Sequence, residues 1–189
     1  MRFVPPAPAD PYYEIQVFET GKVQTRADSK HDLFNALVWL AFPKTKARIN
    51  AMHAREIPRE GGKRGRLRDM LTIFDEGGAI VSGESEIERL VRAASWKELF
   101  ARKFRITVVG HAVLEQALDP YPGITCKAIF AAPGSDLDAH CADWLATKGA
   151  TPRDLPPVPV MGTPGWYPGG TTPDYADARY FRAGDAATR

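Results

Sequence analysis

Proline placement constrains this chain more than any other feature. Of its 16 prolines, four fall in the first eleven residues and seven between Pro152 and Pro173. Proline fixes φ and carries no N–H, so neither end can hold a regular helix or a central strand. The regular elements must lie between, and the 189 residues divide accordingly. Residues 1–11 form a Pro-rich N-terminal segment and 12–150 a body. Residues 151–189 form a Pro/Gly-rich tail, expected to pack on the body as an extended strap anchored by Val158, Val160, Trp166 and Tyr167, with a disordered end. A body of this size suffices for one domain with a real core.

Within the body, the alternation of YYEIQVFE (12–19) suggests a half-buried strand. Ser29 reads as an N-cap with Asp32 three residues on, a capping-box variant, opening a helix that ends near Phe42. Pro43 stops that helix and can sit in the first turn of a second, 44–56, which Pro58 ends. Residues 70–74, the DEGG that follows and 79–82 read as a β-hairpin. An amphipathic helical stretch covers 85–100, and a β-branched strand 105–109 leads through Gly110 into a helix at 112–118. A further strand at 124–131 and a helix at 137–146 complete the body. The helix pair, the hairpin and the strand–helix–strand unit together predict an α+β fold. The unit would be right-handed if its two strands are parallel neighbours.

Composition excludes some function classes. A net charge of +2 implies no nucleic-acid or membrane partner by itself. Two cysteines, Cys126 and Cys141, cannot build a disulfide framework or, alone, a zinc site, and read as buried reduced thiols. The longest apolar run, 36–42, is far short of a membrane span, and the N-terminus has no signal-peptide core. These features predict a cytoplasmic protein.

Three places could carry chemistry. His31, Asp32 and Asn35 share one sector at the head of the first helix, with His31 and Asn35 about 40° apart. Leu33, Phe34, Leu37, Val38, Trp39 and Leu40 cover the rest of that helix, which is therefore expected to be buried on most sides. Asp32 could serve only as a cap and Asn35 only the core, whereas His31 has no such clear structural task. If the helix pair packs as a hairpin, Asn50 and His53 on the second helix bring His53 towards His31 and Asp32. His111 opens a helix after a strand and a glycine, with Glu115 four residues on along the same face, a spacing suited to joint metal ligation or to an orienting pair. Asp69 and Asp75 flank 70–74, although Asp75 within DEGG reads as turn chemistry. The glycine-rich 55–68 segment, with Lys63, Arg64, Arg66 and Arg68, suits phosphate or an acidic partner, or is a solvated loop. No Walker loop, H-E-x-x-H, G-x-S-x-G or paired C-x-x-C is present.

The stretches YYEIQVFETGKVQTR, KHDLFNALVWLAFPKTKARINAMHA, LRDMLTIFDEGG, VVGHAVLEQAL with its following PYPG, and PVMGTPGW together resemble a bacterial family known as domain of unknown function 3025. The resemblance runs from Tyr12 to Trp166. It implies a single bacterial domain and supplies no activity, cofactor or catalytic residue. Family members carry Trp-His-Asp where this chain has Lys30-His31-Asp32, and a longer segment ahead of the first strand, which implies a shortened N-terminus here.

Two functional readings follow. In the first, His31, Asp32, His111 and Glu115 act catalytically, with His31, Asp32, His53 and His111 available to a divalent metal. The 63–68 cations would then hold a small phosphate-bearing ligand for hydrolysis. In the second, the chain is a non-catalytic binder docking nucleic acid or an acidic partner through the basic 55–68 loop.

Overall fold

A computed structural model describes residues 1–6 and 12–182. The expected disordered end of the tail falls in 183–189, outside the described residues. The elements run β1 (Arg2–Val4), α1 (Tyr13–Thr20), β2 (Lys22–Gln24), α2 (Lys30–Ala41), α3 (Pro43–Glu56), α4 (Arg66–Gly77) and β3 (Gly78–Ser82). They continue α5 (Ser85–Arg92), α6 (Trp96–Phe100), β4 (Arg105–Val108), α7 (His111–Gln116), β5 (Cys126–Ala131), α8 (Leu137–Thr147) and β6 (Pro157–Val158). The architecture is a single α+β domain.

The main sheet has the order β4-β3-β5-β6. β3 runs antiparallel to β4 and parallel to β5, and β6 closes the edge antiparallel to β5. Both faces of this sheet are covered. Ala79, Val81, Cys126 and Ala128 face a core built with α5, α6 and the tail, while Ile80, Ile129 and Ala131 face α3, α4 and α8. That accounts for the unbroken apolar run of β3, since a strand buried on both sides does not alternate. β1 and β2 pair in parallel as a separate small ribbon. Among the described residues, no helix is long and apolar enough to cross a membrane.

The structure corrects several expectations. Residues 12–19 are helical rather than extended: α1 ends on Gly21, whose φ of 63° gives the left-handed cap that such a residue supplies after a helix. The hairpin at 70–82 is a helix running straight into a strand. Met70, Leu71 and Phe74 are buried and Leu67 half-buried, a helical spacing that outweighs the β-branched look of LTIF. Asp69 and Asp75 thus lie on α4, and Asp75 is not in a turn. The helical stretch 85–100 breaks after Ala93. There Ala94 takes a φ of 51°, and the N–H groups of Ala94 and Ser95 donate to Val91 O and Leu90 O, a helix-ending motif usually built on glycine. The strands β4 and β5 of the expected strand–helix–strand unit are not neighbours, because β3 lies between them. Nor is α2 buried on most sides: Val38 and Trp39 are buried, but Leu33, Leu37 and Leu40 are exposed.

In the tail, β6 joins the sheet and Val158, Val160 and Met161 are buried. Trp166 is exposed, while Tyr167 packs half-buried against the core. Tyr175 adds a further hold, stacking on Phe100 with ring centroids 5.4 Å apart, and Phe181 is buried beside it.

Candidate metal centre

One cleft of about 390 Å³ gathers side chains from α1, α2, α3, α4 and α7. Its centre is a pair of histidines. His31 sits in the first turn of α2, which Ser29 caps: the Ser29 hydroxyl accepts from the Asp32 N–H at 3.1 Å. His111 is the first residue of α7 and is almost fully buried. Their Nε2 atoms lie 3.0 Å apart, with the rings edge-on at 70°.

What positions His111 is a close approach of backbone to backbone. Gly110 donates its N–H to Gly78 O at 2.8 Å, at the junction of α4 and β3. A Cβ on Gly110 would stand 2.5 Å from Glu76 O and from Gly78 N, so only glycine lets the two segments meet. The last carbonyls of a helix lack intrahelical partners. Asp75 O, in the last turn of α4, is one of them, and it accepts from His111 Nδ1 at 2.8 Å. On the other ring, Glu115 Oε2 accepts from His31 Nδ1 at 3.1 Å. Both Nδ1 atoms therefore carry their hydrogens, and both Nε2 atoms present lone pairs in the neutral tautomers. Burial, above all, lowers the pKa of His111 and favours that neutral form.

Two lone pairs facing each other at 3.0 Å repel unless a cation or a proton stands between them. The separation suits a metal, because two nitrogens each about 2.0–2.1 Å from one ion lie roughly 3 Å apart at an angle near 90–100°. Glu76 supplies a third donor: its Oε2 is 3.5 Å from His111 Nε2 and 3.9 Å from His31 Nε2. His31, Glu76 and His111 form a group whose ligand atoms all lie within 4.8 Å of one another. Glu115 and Asp75 O stand behind the two rings, as orienting partners do in metal sites.

The other expected residues are placed differently. Asp32 lies in the cleft but is clamped by Arg26, which donates Nε and Nη2 at 2.8 Å each and its backbone N–H at 2.8 Å. That clamp holds the Asp32 carboxyl well below the usual carboxylate range. His53 does not join His31. It is buried on α3 and accepts from Arg68 Nε at 3.1 Å, while Arg68 also donates to Glu60. The short α2–α3 connection brings Asn35, Lys46 and Asn50 into the cleft instead. Lys63, Arg64, Arg66 and Arg68 do not line it, and Arg66 and Arg68 belong to α4 rather than to a loop.

Sequence reasoning missed Glu76, Lys46 and Glu14. Buried Lys46 ion-pairs with Asp75, donates to Asn35 Oδ1 at 2.8 Å and lies over the Trp39 ring. Reading 66–77 as a helix would have put Glu76 at its C-terminal end. Its meeting with His111, 35 residues on, leaves no local trace.

Neither a curated protein nor a solved structure matches the chain significantly. One family does, described as "Protein of unknown function (DUF3025)", and it matches residues 1–185. The chain belongs to that family.

Proposed function

We propose that the cleft binds one divalent transition-metal ion through His31 Nε2, His111 Nε2 and Glu76, and uses it to activate water for hydrolysis. The observation that carries this reading is the 3.0 Å approach of two Nε2 atoms whose Nδ1 partners leave both of them as acceptors in the neutral rings. Two imidazoles and a carboxylate suit zinc or iron rather than magnesium or calcium, and three protein ligands leave positions open for water and substrate. A metal so held lowers the pKa of bound water towards ~7 and polarises a substrate oxygen.

The charge of the cleft favours an uncharged substrate over a phosphate-bearing one. Its lining cations, Arg26 and Lys46, are already paired with Asp32 and Asp75. Glu14 and Glu76 remain against them without a Lys or Arg partner among the described residues. The rival binder reading is left with Lys63, Arg64 and Arg66, which are exposed with no ion pair among the described residues. In the basic segment, Arg55 and Arg59 share Glu56, and Arg68 is held by Glu60.

Titration with Co(II), followed by its visible spectrum, tests the proposal, with Zn(II) added in competition and circular dichroism to check folding. The wild type is expected to bind one ion. His111→Ala and Glu76→Gln are each expected to lose more than the roughly 10–100-fold that removal of an orienting partner costs. Wild-type affinity no better than that of folded His111→Ala would overturn the proposal and leave a shared proton between the rings.

A further inference from the structure

The metal reading leaves one carboxylate of the cleft without a task. Asp32 is neutralised by Arg26, Asp75 by Lys46, and Glu76 faces the histidines. Glu14, on α1, has only a neutral partner. Asn50, itself 5% exposed, donates from Nδ2 to Glu14 Oε2 at 2.9 Å and to Glu14 O at 2.8 Å. One contact holds the backbone of α1 and the other binds one carboxylate oxygen, in the cleft that His31, Glu76 and His111 also line. Oε1 has no partner among the described residues.

The surroundings suit a group that exchanges a proton. Burial raises the Glu14 pKa above the ordinary glutamate value. The Asn50 hydrogen bond, Lys46 and Arg68 pull against that rise, and Asp75 adds to it. Asp32, in the same cleft, is pushed the opposite way by Arg26. Two carboxylates of one site with pKa values driven apart are the usual mark of an acid–base assignment. The other titratable groups nearby are less suited. Burial pushes Tyr13 up to about 12, and Lys46 is held by Asp75.

We infer that Glu14 is the acid–base group of the cleft, acting on water beside the metal to hydrolyse an ester or amide. This inference rests on the metal reading. In the step, the water oxygen bonds to the carbonyl carbon and its proton passes to Glu14. The bond from that carbon to the alkoxy oxygen or amide nitrogen then breaks, and Glu14 returns the proton to the departing alcohol or amine.

The test is Glu14→Gln, nearly isosteric and still able to meet Asn50. In the Co(II)-loaded protein, the visible spectrum against pH reports ionisation of the metal-bound water, without any substrate. The variant is expected to bind Co(II) as the wild type does, yet to lower the spectral midpoint, because a negative charge has been removed from the cleft. With p-nitrophenyl acetate as probe, the Zn(II)-loaded variant is expected to lose roughly 10²–10⁴-fold in rate. Unchanged affinity with an unmoved midpoint overturns the role of Glu14 alone. Absence of Co(II) binding by the wild type overturns the metal reading and this inference with it. Should the variant fail to fold, carbon-13 NMR of the wild-type Glu14 carboxyl decides. Its titration is expected to fall when Zn(II) is added, and a titration indifferent to Zn(II) overturns the inference.

Discussion

His53 and His111 are equally buried, each 3% exposed, yet their surroundings differ in kind. Around His53 each hydrogen bond joins a donor to an acceptor. Arg68 Nε donates to His53 Nδ1, Arg68 Nη1 donates to Glu60 Oε2, and the Gly65 N–H donates to Glu60 Oε1. Around His111 the chain of partners ends on a second imidazole, Nε2 facing Nε2 across 3.0 Å, so that with both rings neutral an acceptor faces an acceptor. Burial alone thus fails to separate a structural histidine from a functional one. On the proposed metal reading, the direction of each hydrogen bond separates them. A closed set of complementary pairs stabilises the fold, whereas an unanswered pair of lone pairs asks for a ligand.

The largest effect expected from this contrast is on stability against pH. Burial, and then the Arg68 guanidinium, push the His53 pKa down to about 4 from an ordinary 6.5. Between those values the unfolded chain binds a proton that the native state refuses. The native state is therefore favoured fully above 6.5 and progressively less as pH falls to 4. The gap is worth about 3 kcal/mol. Urea unfolding of the metal-free protein at pH 7 and pH 4 measures the loss. His53→Asn, which keeps an acceptor near Arg68, is expected to lose about 3 kcal/mol less than the wild type across that range. Metal affinity is expected to stay as it was. Equal pH dependence in the two proteins would show that His53 titrates freely and that its partners are ornamental.

A smaller effect separates the two glutamates that stand behind each cluster. Glu115 orients His31, so Glu115→Gln is expected to weaken Co(II) binding roughly 10–100-fold. Glu60 holds Arg68 and Gly65, so Glu60→Gln is expected to leave Co(II) binding unchanged and to lower only stability. Isothermal titration of both variants checks the pair. Loss of metal affinity in Glu60→Gln would join the two clusters into one network and end the distinction drawn between them.

The contrast also explains what could be read from sequence. The cap at Ser29, the proline step from α2 to α3 and the glycine before His111 are local signals, and each lies where the sequence put it. The α+β class was right although the hairpin and the strand pairing among its grounds were not. The errors at α1 and α4 arose where a short apolar pattern fitted two periods, and there the burial of Val17 and of Met70, Leu71 and Phe74 decided for helix. Within the site, His31, His111 and Glu115 were legible as polar residues at helix heads or at helical spacing. Glu76 and Glu14 were not, because their meaning depends on which elements pack together. Lys46, a buried cation that needs Asp75 and Asn35 at once, is a consequence of tertiary structure alone.

The smallest effect concerns the turn that carries His31. Ser29→Ala removes the cap on the Asp32 N–H, a loss usually worth about 1 kcal/mol. Here the turn has a second hold, since Arg26 grips the Asp32 side chain from outside the helix. Fraying is therefore limited, and the unfolding free energy is expected to fall by no more than that amount. His31 is tethered to Glu115 as well, so Co(II) affinity is expected to fall by less than in Glu115→Gln. Measuring both variants by the same titration ranks the two restraints on one imidazole. If Ser29→Ala costs more metal affinity than Glu115→Gln, the helix cap rather than the carboxylate sets the position of His31. The mismatch at its Nε2 would then be a product of backbone placement.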